Sequence, residues 1–314
     1  MPKGLKMESA RKKSAGDFVF GIAQLKKIDN GDLLCAHCDA EVQYVSAYLS
    51  HASKVPVDAY LRLNRNEEHA RNCENSVRGK LEKLVADSIA LEDVSSIFEI
   101  LGDASYIFRM NMLVDAEKAA RQLSTSHAND EISDKAARGY DYARTKRNLE
   151  SYFRSASGIA KIRALIEGED KGNAKYLTNK VKIKYKDRSV SWNSFYYDRS
   201  RYDVLFRRAA RAKIPHPVAI KVTIKGDLKH SELATYCPWS LQCYSKTTDE
   251  GLVFVPRVNF PEENLAANMS TGTYIVVGKV WANKIKDKKS PFRNFSVSIF
   301  NQYQVKKEIE TSGA

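Results

Sequence analysis

The spacing of apolar residues changes along the chain, and the changes mark its regions. Phe18-Val-Phe-Gly-Ile-Ala is a short apolar run, and the Asn30-Gly31 pair after it predicts a strand and a tight turn leading into Cys35. From residue 76 to about 170 the spacing is helical. Val77, Leu81, Leu84, Val85 and Ile89 recur at that period, Ile97, Leu101, Ile107, Met110 and Leu113 extend it, and residues 116–123 are Ala-rich. The polar run 124–130 interrupts the pattern. A last helix is expected between about Lys135 and Ile166, with Tyr142, Leu149, Phe153, Ile159, Ile162 and Leu165 on one side and Arg144, Lys146, Arg147, Arg154, Lys161 and Arg163 on the other.

Beyond Gly172 the period becomes two. Val181, Ile183 and Tyr185 alternate with Lys180, Lys182, Lys184 and Lys186, which predicts a half-buried strand with a lysine row outside, and Val190 and Trp192 read as the hairpin return. Arg207, Arg208, Arg211 and Lys213 fall on a short helix. Further strands are expected at Val218–Ile224, Leu252–Val258, Tyr274–Trp281 and Phe295–Val305. Short strands with helical insertions suit a small barrel such as an OB-fold; an open sandwich or a mixed sheet is the alternative.

Chemistry enters at the cysteines. Cys35-Ala-His-Cys38 precedes His69-Ala-Arg-Asn-Cys73, and a C-x₂-C turn with an H-x₃-C pair supplies the four ligands of a tetrahedral Zn²⁺. The second pair is expected on one helical face, since positions four apart are neighbours there. Four protein ligands leave no place for water, so the zinc is read as structural. His37, between the cysteines, is expected at the surface, and His51 is the substitute for His69. The order Cys35, Cys38, the strand Tyr60-Leu-Arg-Leu63, then Glu68-His69-Ala70 and Cys73 resembles the zinc-finger-like N-terminal region of bacterial competence proteins of the CoiA type. The resemblance spans residues 18–75 and implies a role in DNA processing or defence. In that family the region precedes a restriction-nuclease-like domain with a Glu-x-Lys signature. Here Glu169-Asp170-Lys171 reads as a solvated loop, so nuclease activity is not carried over.

The expected architecture is therefore α+β: a basic disordered tail over 1–16, a zinc-binding module over 17–75, a helical region over 76–170 and a β-rich basic domain over 171–314. Lys and Arg number 51 against 38 Asp and Glu, a formal charge of +13. Such a field attracts polyanions, nucleic acid first. No apolar run is long enough for a spanning helix, the N-terminal residues lack a secretory pattern and the five cysteines suit a reducing compartment, so a cytoplasmic location and no membrane contact are expected.

Nucleic-acid contacts are assigned where cations and aromatics interleave: Lys182, Lys184, Lys186, Arg188, Trp192, Tyr196, Arg199, Arg201, Arg207, Arg208 and Arg211. Unpaired bases stack on aromatic rings beside a cationic groove, which is the reason for including Trp192 and Tyr196. The loop cations Lys284, Lys286, Lys288, Lys289 and Arg293 complete the set. No phosphate-cradling, nucleophile-elbow or zinc-hydrolase motif is present, so a binding role is expected over an enzymatic one. His216, between two prolines, reads as a surface residue. A metal-dependent nuclease and a protein-interaction adaptor with a protein partner are the alternatives.

Overall fold

The computed structural model describes residues 5–49, 56–70, 72–86, 98–100, 105–109, 155–169, 171–185, 188–232, 234, 237–267, 269–283 and 289–308. The chain divides into two compact units, Met1–Asp87 with Ile162–Thr178, and Ser88–Lys161 with Asn179–Ala314. It is mixed α/β, with its largest sheet toward the C-terminus.

In the first unit, β1 (Ser9–Lys12) lies between β2 (Val19–Gly21) and β3 (Leu33–Cys35), antiparallel to both. Leu5, Met7 and Ala10 are buried. The described part of the expected disordered tail is therefore folded: these apolar positions commit it to the core, and its cations find partners. Lys12 pairs with Asp29 at 2.8 Å, Lys13 with Glu41 at 2.5 Å, and Arg11 with Asp39 at 2.9 Å. β4 (Val42–Val45) pairs with β7 (Tyr60–Leu63), and β5 (Tyr48–Leu49) with β6 (Pro56–Val57), all antiparallel. Helix α1 (Val77–Ala86) starts where Ser76 accepts the Gly79 N–H on its hydroxyl at 2.9 Å, a side-chain N-cap.

The unit's second segment takes most of α2 (Ser155–Gly168) and α3 (Lys171–Lys180). Asn173 and Leu177, four apart on α3, are buried, so residues 171–180 are helical where the β-rich domain was expected to begin. Between the helices, Glu169 replaces the expected solvated loop with a half-buried anchor. Its carboxylate accepts the Lys6 backbone N–H at 3.1 and 3.2 Å and the Asn173 amide at 3.3 Å, while the Lys80 ammonium donates to the Lys6 carbonyl. Burial raises the Glu169 carboxyl and lowers the Lys80 amine, against their mutual attraction.

The second unit begins with β8 (Phe98–Ile100) and β9 (Tyr106–Arg109), where helical spacing had been expected from Ile97 to Leu113. Short apolar runs do not distinguish the two periods, and the aromatic and β-branched Phe98, Ile100, Tyr106, Ile107 and Phe108 favour strands. Residues 110–154, with Arg144, Lys146, Arg147 and Arg154 of the expected basic face, lie outside the described residues, while its Lys161 and Arg163 are on α2, where Arg163 donates to Glu167 at 2.7 Å. β10 (Val181–Tyr185) runs parallel to β9 and antiparallel to β11 (Arg188–Ser191). Single-turn α4 (Trp192–Phe195), β12 (Tyr196–Tyr197) and α5 (Tyr202–Arg211) follow, so Trp192 opens a helical turn and is not the end of a hairpin strand.

The large sheet contains β13 (Val218–His230), β14 (Trp239–Cys243), β15 (Lys246–Thr247), β16 (Val253–Phe260), β17 (Gly272–Ala282), β18 (Phe292–Ser298) and β19 (Val305–Lys307), with α6 (Glu263–Ala267) between β16 and β17. Its pairings form a circuit. β13 joins β14, β14 joins β16, β16 joins β18 in parallel, β18 joins the second half of β17, and the first half of β17 returns to β13. Strand β17 changes partner at Gly278, opposite Val218, with Lys279 already opposite Ser298. A Cβ at Gly278 would stand 2.4 Å from the Ser298 carbonyl oxygen, so the crossing requires glycine. The expected Phe295–Val305 strand is two elements, β18 and β19, and β14 is a strand that no expected element covered. Alternating residues of β13, β14, β16, β17 and β18 point into one core that also takes Tyr202, Leu205 and Phe206 from α5. Among the described residues, no helix is long and apolar enough to cross a membrane.

Candidate metal centre and candidate nucleic-acid residues

β3 ends at Cys35, and the chain turns at once: the Cys35 N–H donates to the Ala40 carbonyl at 2.8 Å and the His37 N–H points at the Cys35 sulfur at 3.5 Å. This turn carries Cys38 back beside Cys35. The second pair lies in a loop before α1. The sequence predicted a helical face for His69 and Cys73, but Ser76 caps the helix only afterwards; the Cys73 N–H closes a tight turn onto the Ala70 carbonyl at 2.9 Å. Helix α1 approaches this loop closely. A Cβ on Gly79 would be 2.3 Å from the Cys73 carbonyl oxygen and 2.7 Å from Glu74 Cα.

Four ligand atoms converge. Cys35 Sγ is 3.6 Å from Cys73 Sγ, and His69 Nδ1 is 3.4 Å from both Cys38 Sγ and Cys73 Sγ. All four atoms lie within 4.8 Å of one another, close enough to hold a metal ion. His37 is exposed, as expected, and His51 lies outside the described residues.

Electrostatics prepare the ligands unequally. Burial, then the charges of Lys80 and His37, bring the His69 imidazole down to about 4, so it is neutral at pH 7 and offers a lone pair. Burial pushes the Cys73 thiol up to about 12, a proton that a metal ion would displace on binding. For Cys38, burial acts upward, but hydrogen bonds from the Ala40 and Ala70 backbone and the neighbouring cysteines bring the thiol below its usual range.

Two supporting residues had no signal in the sequence. Arg11 on β1 donates to the carbonyls of Cys35 at 3.2 Å and Cys38 at 3.1 Å while paired to Asp39, holding both ends of the cysteine turn. Asn75 donates its amide to Cys35 Sγ at 3.3 Å. Partners beyond the ligands orient a metal site, and no spacing rule would have marked either of these.

The described residues among the expected nucleic-acid contacts separate into three groups. Trp192 and Tyr196 are buried and stack on each other at 5.2 Å between centroids, so neither offers a free face to a base. Arg201 and Arg208 are structural. Arg201 donates to the Tyr196 carbonyl at 2.9 Å and the Asn193 carbonyl at 2.6 Å, and Arg208 to the Ser194 carbonyl at 3.1 Å and the Tyr197 hydroxyl at 2.8 Å. His216 is buried where a surface residue was expected: its Nδ1 meets the Pro217 carbonyl at 2.8 Å and its Nε2 lies 3.4 Å from Arg208 Nη2.

The remaining described cations stay at the surface. Lys182 and Lys184 are half-buried on the face of β10 opposite Val181, Ile183 and Tyr185. Arg188, Arg199, Arg207, Arg211 and Lys289 are exposed, with Arg199 bonded to the Ser245 carbonyl at 2.9 Å and Arg207 paired with Asp203. Arg293 is half-buried and donates to the carbonyls of Ser290 at 2.5 Å and Phe292 at 3.1 Å. Lys186, Lys284, Lys286 and Lys288 lie outside the described residues.

No family model, curated protein or solved structure matches the chain.

Proposed function

We propose that the protein is a zinc-stapled nucleic-acid-binding protein whose C-terminal sheet is an OB-type barrel. The observation that carries this reading is the strand circuit. Counting β13, β14, β16, β17 and β18 as first to fifth, the order around the circuit is first, second, third, fifth, fourth and back to first. A closed five-strand Greek-key circuit is the arrangement of a barrel that binds oligonucleotides across one sheet face. The formal charge of +13 gives it the field such a ligand requires.

The metal site supports the other half. Tetrahedral zinc with ordinary bond lengths places two thiolate sulfurs about 3.8 Å apart and a sulfur and an imidazole nitrogen about 3.5 Å apart. The corresponding distances here are 3.6 Å and 3.4 Å. Four protein ligands fill the coordination sphere, so the ion would hold the fold together and leave no catalytic position. The likeness of residues 18–75 to CoiA-type competence proteins favours DNA as the polymer and a bacterial DNA-processing or defence setting.

The test is fluorescence anisotropy of the purified protein with labelled single-stranded DNA, duplex DNA and RNA of equal length, each at low and physiological salt. Binding that weakens steeply with salt and ranks the three polymers is the expected result. Weak binding to all three at both salts would remove the nucleic-acid reading and bring forward the adaptor alternative. Elemental analysis should return stoichiometric zinc.

A further inference from the structure

Three large hydrophobic side chains are exposed on the circuit: Phe292 at 55 %, Tyr244 at 44 % and Trp281 at 40 %. Their facing follows from strand alternation. Val280 on β17, Phe295 and Val297 on β18, Phe254 and Val258 on β16, and Leu241 and Cys243 on β14 all point into the core. Trp281, Phe292, Arg257 and Gln242 therefore point outward. Tyr244, two residues beyond Gln242, shares that face.

Register places them together. Trp281 is opposite Ser296, Ser296 is opposite Arg257, and Arg257 is opposite Gln242, one outward row across four strands. Phe292 stands on the same face as Ser296, four residues along β18, which is roughly 13 Å. The Lys225 ammonium lies 6.0 Å from the Tyr244 ring centroid, adding a cation at the border. The sequences of β14, β16, β17 and β18 contain no Asp or Glu, and Arg257 and Lys279 have the same outward parity as Trp281 and Phe292. An acid-free face with separated, exposed aromatic rings and cations beside them has the chemistry of a stacking platform.

We propose that this outward face of β14, β16, β18 and β17 is the contact surface for a single nucleic-acid strand, with bases stacked on Trp281, Phe292 and Tyr244 and phosphates met by Arg257 and Lys225. The proposal rests on the nucleic-acid reading above and deepens it. It moves the stacking residues from Trp192 and Tyr196, which are buried, to rings that have a free face. It also favours unpaired strands, because a base inside a duplex cannot lie flat on a protein ring.

The full-length protein is titrated with an oligothymidylate of about 12 nucleotides, within the site size of one such barrel, and followed by anisotropy and by tryptophan fluorescence. Trp192 is buried and Trp239 half-buried, so Trp281 is the exposed indole of the three. Binding should quench the fluorescence. Trp281→Phe should lose the quench yet keep affinity within about threefold, since phenylalanine also stacks. Trp281→Ala and Phe292→Ala should each weaken binding about tenfold with the salt slope unchanged, whereas Arg257→Gln should weaken it and flatten the slope by about 0.7.

The double variant Trp281→Ala with Phe292→Ala decides the matter, its melting transition serving as the check that it folds. If it binds as tightly as the parent, the strand runs elsewhere and the proposal fails while the nucleic-acid reading stands. If the parent protein binds no oligonucleotide even at low salt, both fail together.

Discussion

Ten described side chains form the buried cluster around the candidate metal centre of the N-terminal unit, and two of them, Cys35 and Cys73, are themselves candidate ligands. The cluster inside the C-terminal sheet has twenty-two, among them Tyr202, Phe206, Phe254, Phe260, Tyr274 and Phe295. Burial stabilises by roughly 25 cal/mol per Å² of apolar surface, and an aromatic ring removes far more area from water than a cysteine does. The C-terminal core can therefore hold its fold by packing alone. The cluster around the cysteines has no aromatic side chain among its ten buried members, and four converging ligand atoms sit where a metal ion would staple it. Cys35 and Cys73 are packing residues and candidate ligands at once, so a metal ion bound there would couple directly to the fold around it.

The sharpest way to break this contrast is to remove the ligands. In Cys35→Ser combined with Cys73→Ser, or in the parent protein with a strong chelator, calorimetry should lose the transition of the N-terminal unit and keep that of the sheet. A structural zinc contributes about 10 kcal/mol or more to the folding of a small module, as much as an ordinary domain's whole stability. Two unchanged transitions after chelation would show that the unit stands without metal. The reciprocal experiment is Phe260→Ala, whose parent ring is fully buried. It should cost the sheet about 3–5 kcal/mol and leave metal content untouched; a fall in zinc would mean that the two regions are energetically coupled.

The contrast also explains what could be read from sequence. The convergence of Cys35, Cys38, His69 and Cys73 was legible because ligand chemistry leaves a spacing signature, whatever backbone carries it. The backbone itself was misjudged: an i, i+4 pair fits a helix, but His69 and Cys73 lie in a loop that ends before the Ser76 cap. Strand β10 was legible because one face is buried and alternation records that, whereas β16 and β17 were legible as short β-branched and aromatic runs, buried on both faces over part of their length. The exposed face of the sheet was not. Trp192 and Trp281 are the same residue type beside basic neighbours, and only the pairing of Trp281 with Ser296, against the seating of Trp192 on Tyr196, tells a free ring from a packed one. Similarly, the cations of residues 6–13 looked like a tail until Leu5, Met7 and Ala10 proved to be core.

An intermediate effect is expected from Gly79→Ala, where two principles oppose each other. Helix propensity favours alanine in α1 by about 1 kcal/mol. The new Cβ, however, would be 2.3 Å from the Cys73 carbonyl oxygen and 2.7 Å from Glu74 Cα, both backbone atoms of the ligand loop. Overpacking of this kind costs on the order of 1–3 kcal/mol. The variant should melt earlier and bind zinc at least about tenfold more weakly, with all four ligands intact. A stabilised variant with unchanged zinc affinity would mean that α1 does not brace the metal loop.

The smallest effect tests the sheet side, where no candidate metal cluster lies among the described residues. Burial, and then the charges of Arg208 and Arg188, depress His216 below its ordinary value of 6.5, against the pull of its hydrogen bond to Pro217. A base whose pKa is lower folded than unfolded binds more protons when unfolded. Its contribution to stability is complete above about pH 6.5 and is lost as the pH falls from there through the folded value. The transition of the C-terminal sheet should therefore move to lower temperature below pH 6.5, and His216→Gln should make that transition less sensitive to pH over the same interval. If parent and variant keep the same pH dependence, the buried imidazole is not what titrates. Protonation would place a second cation against Arg208, whose guanidinium also holds the Ser194 carbonyl and the Tyr197 hydroxyl, so the first structural change should appear at α4 and β12 and not at the metal loop.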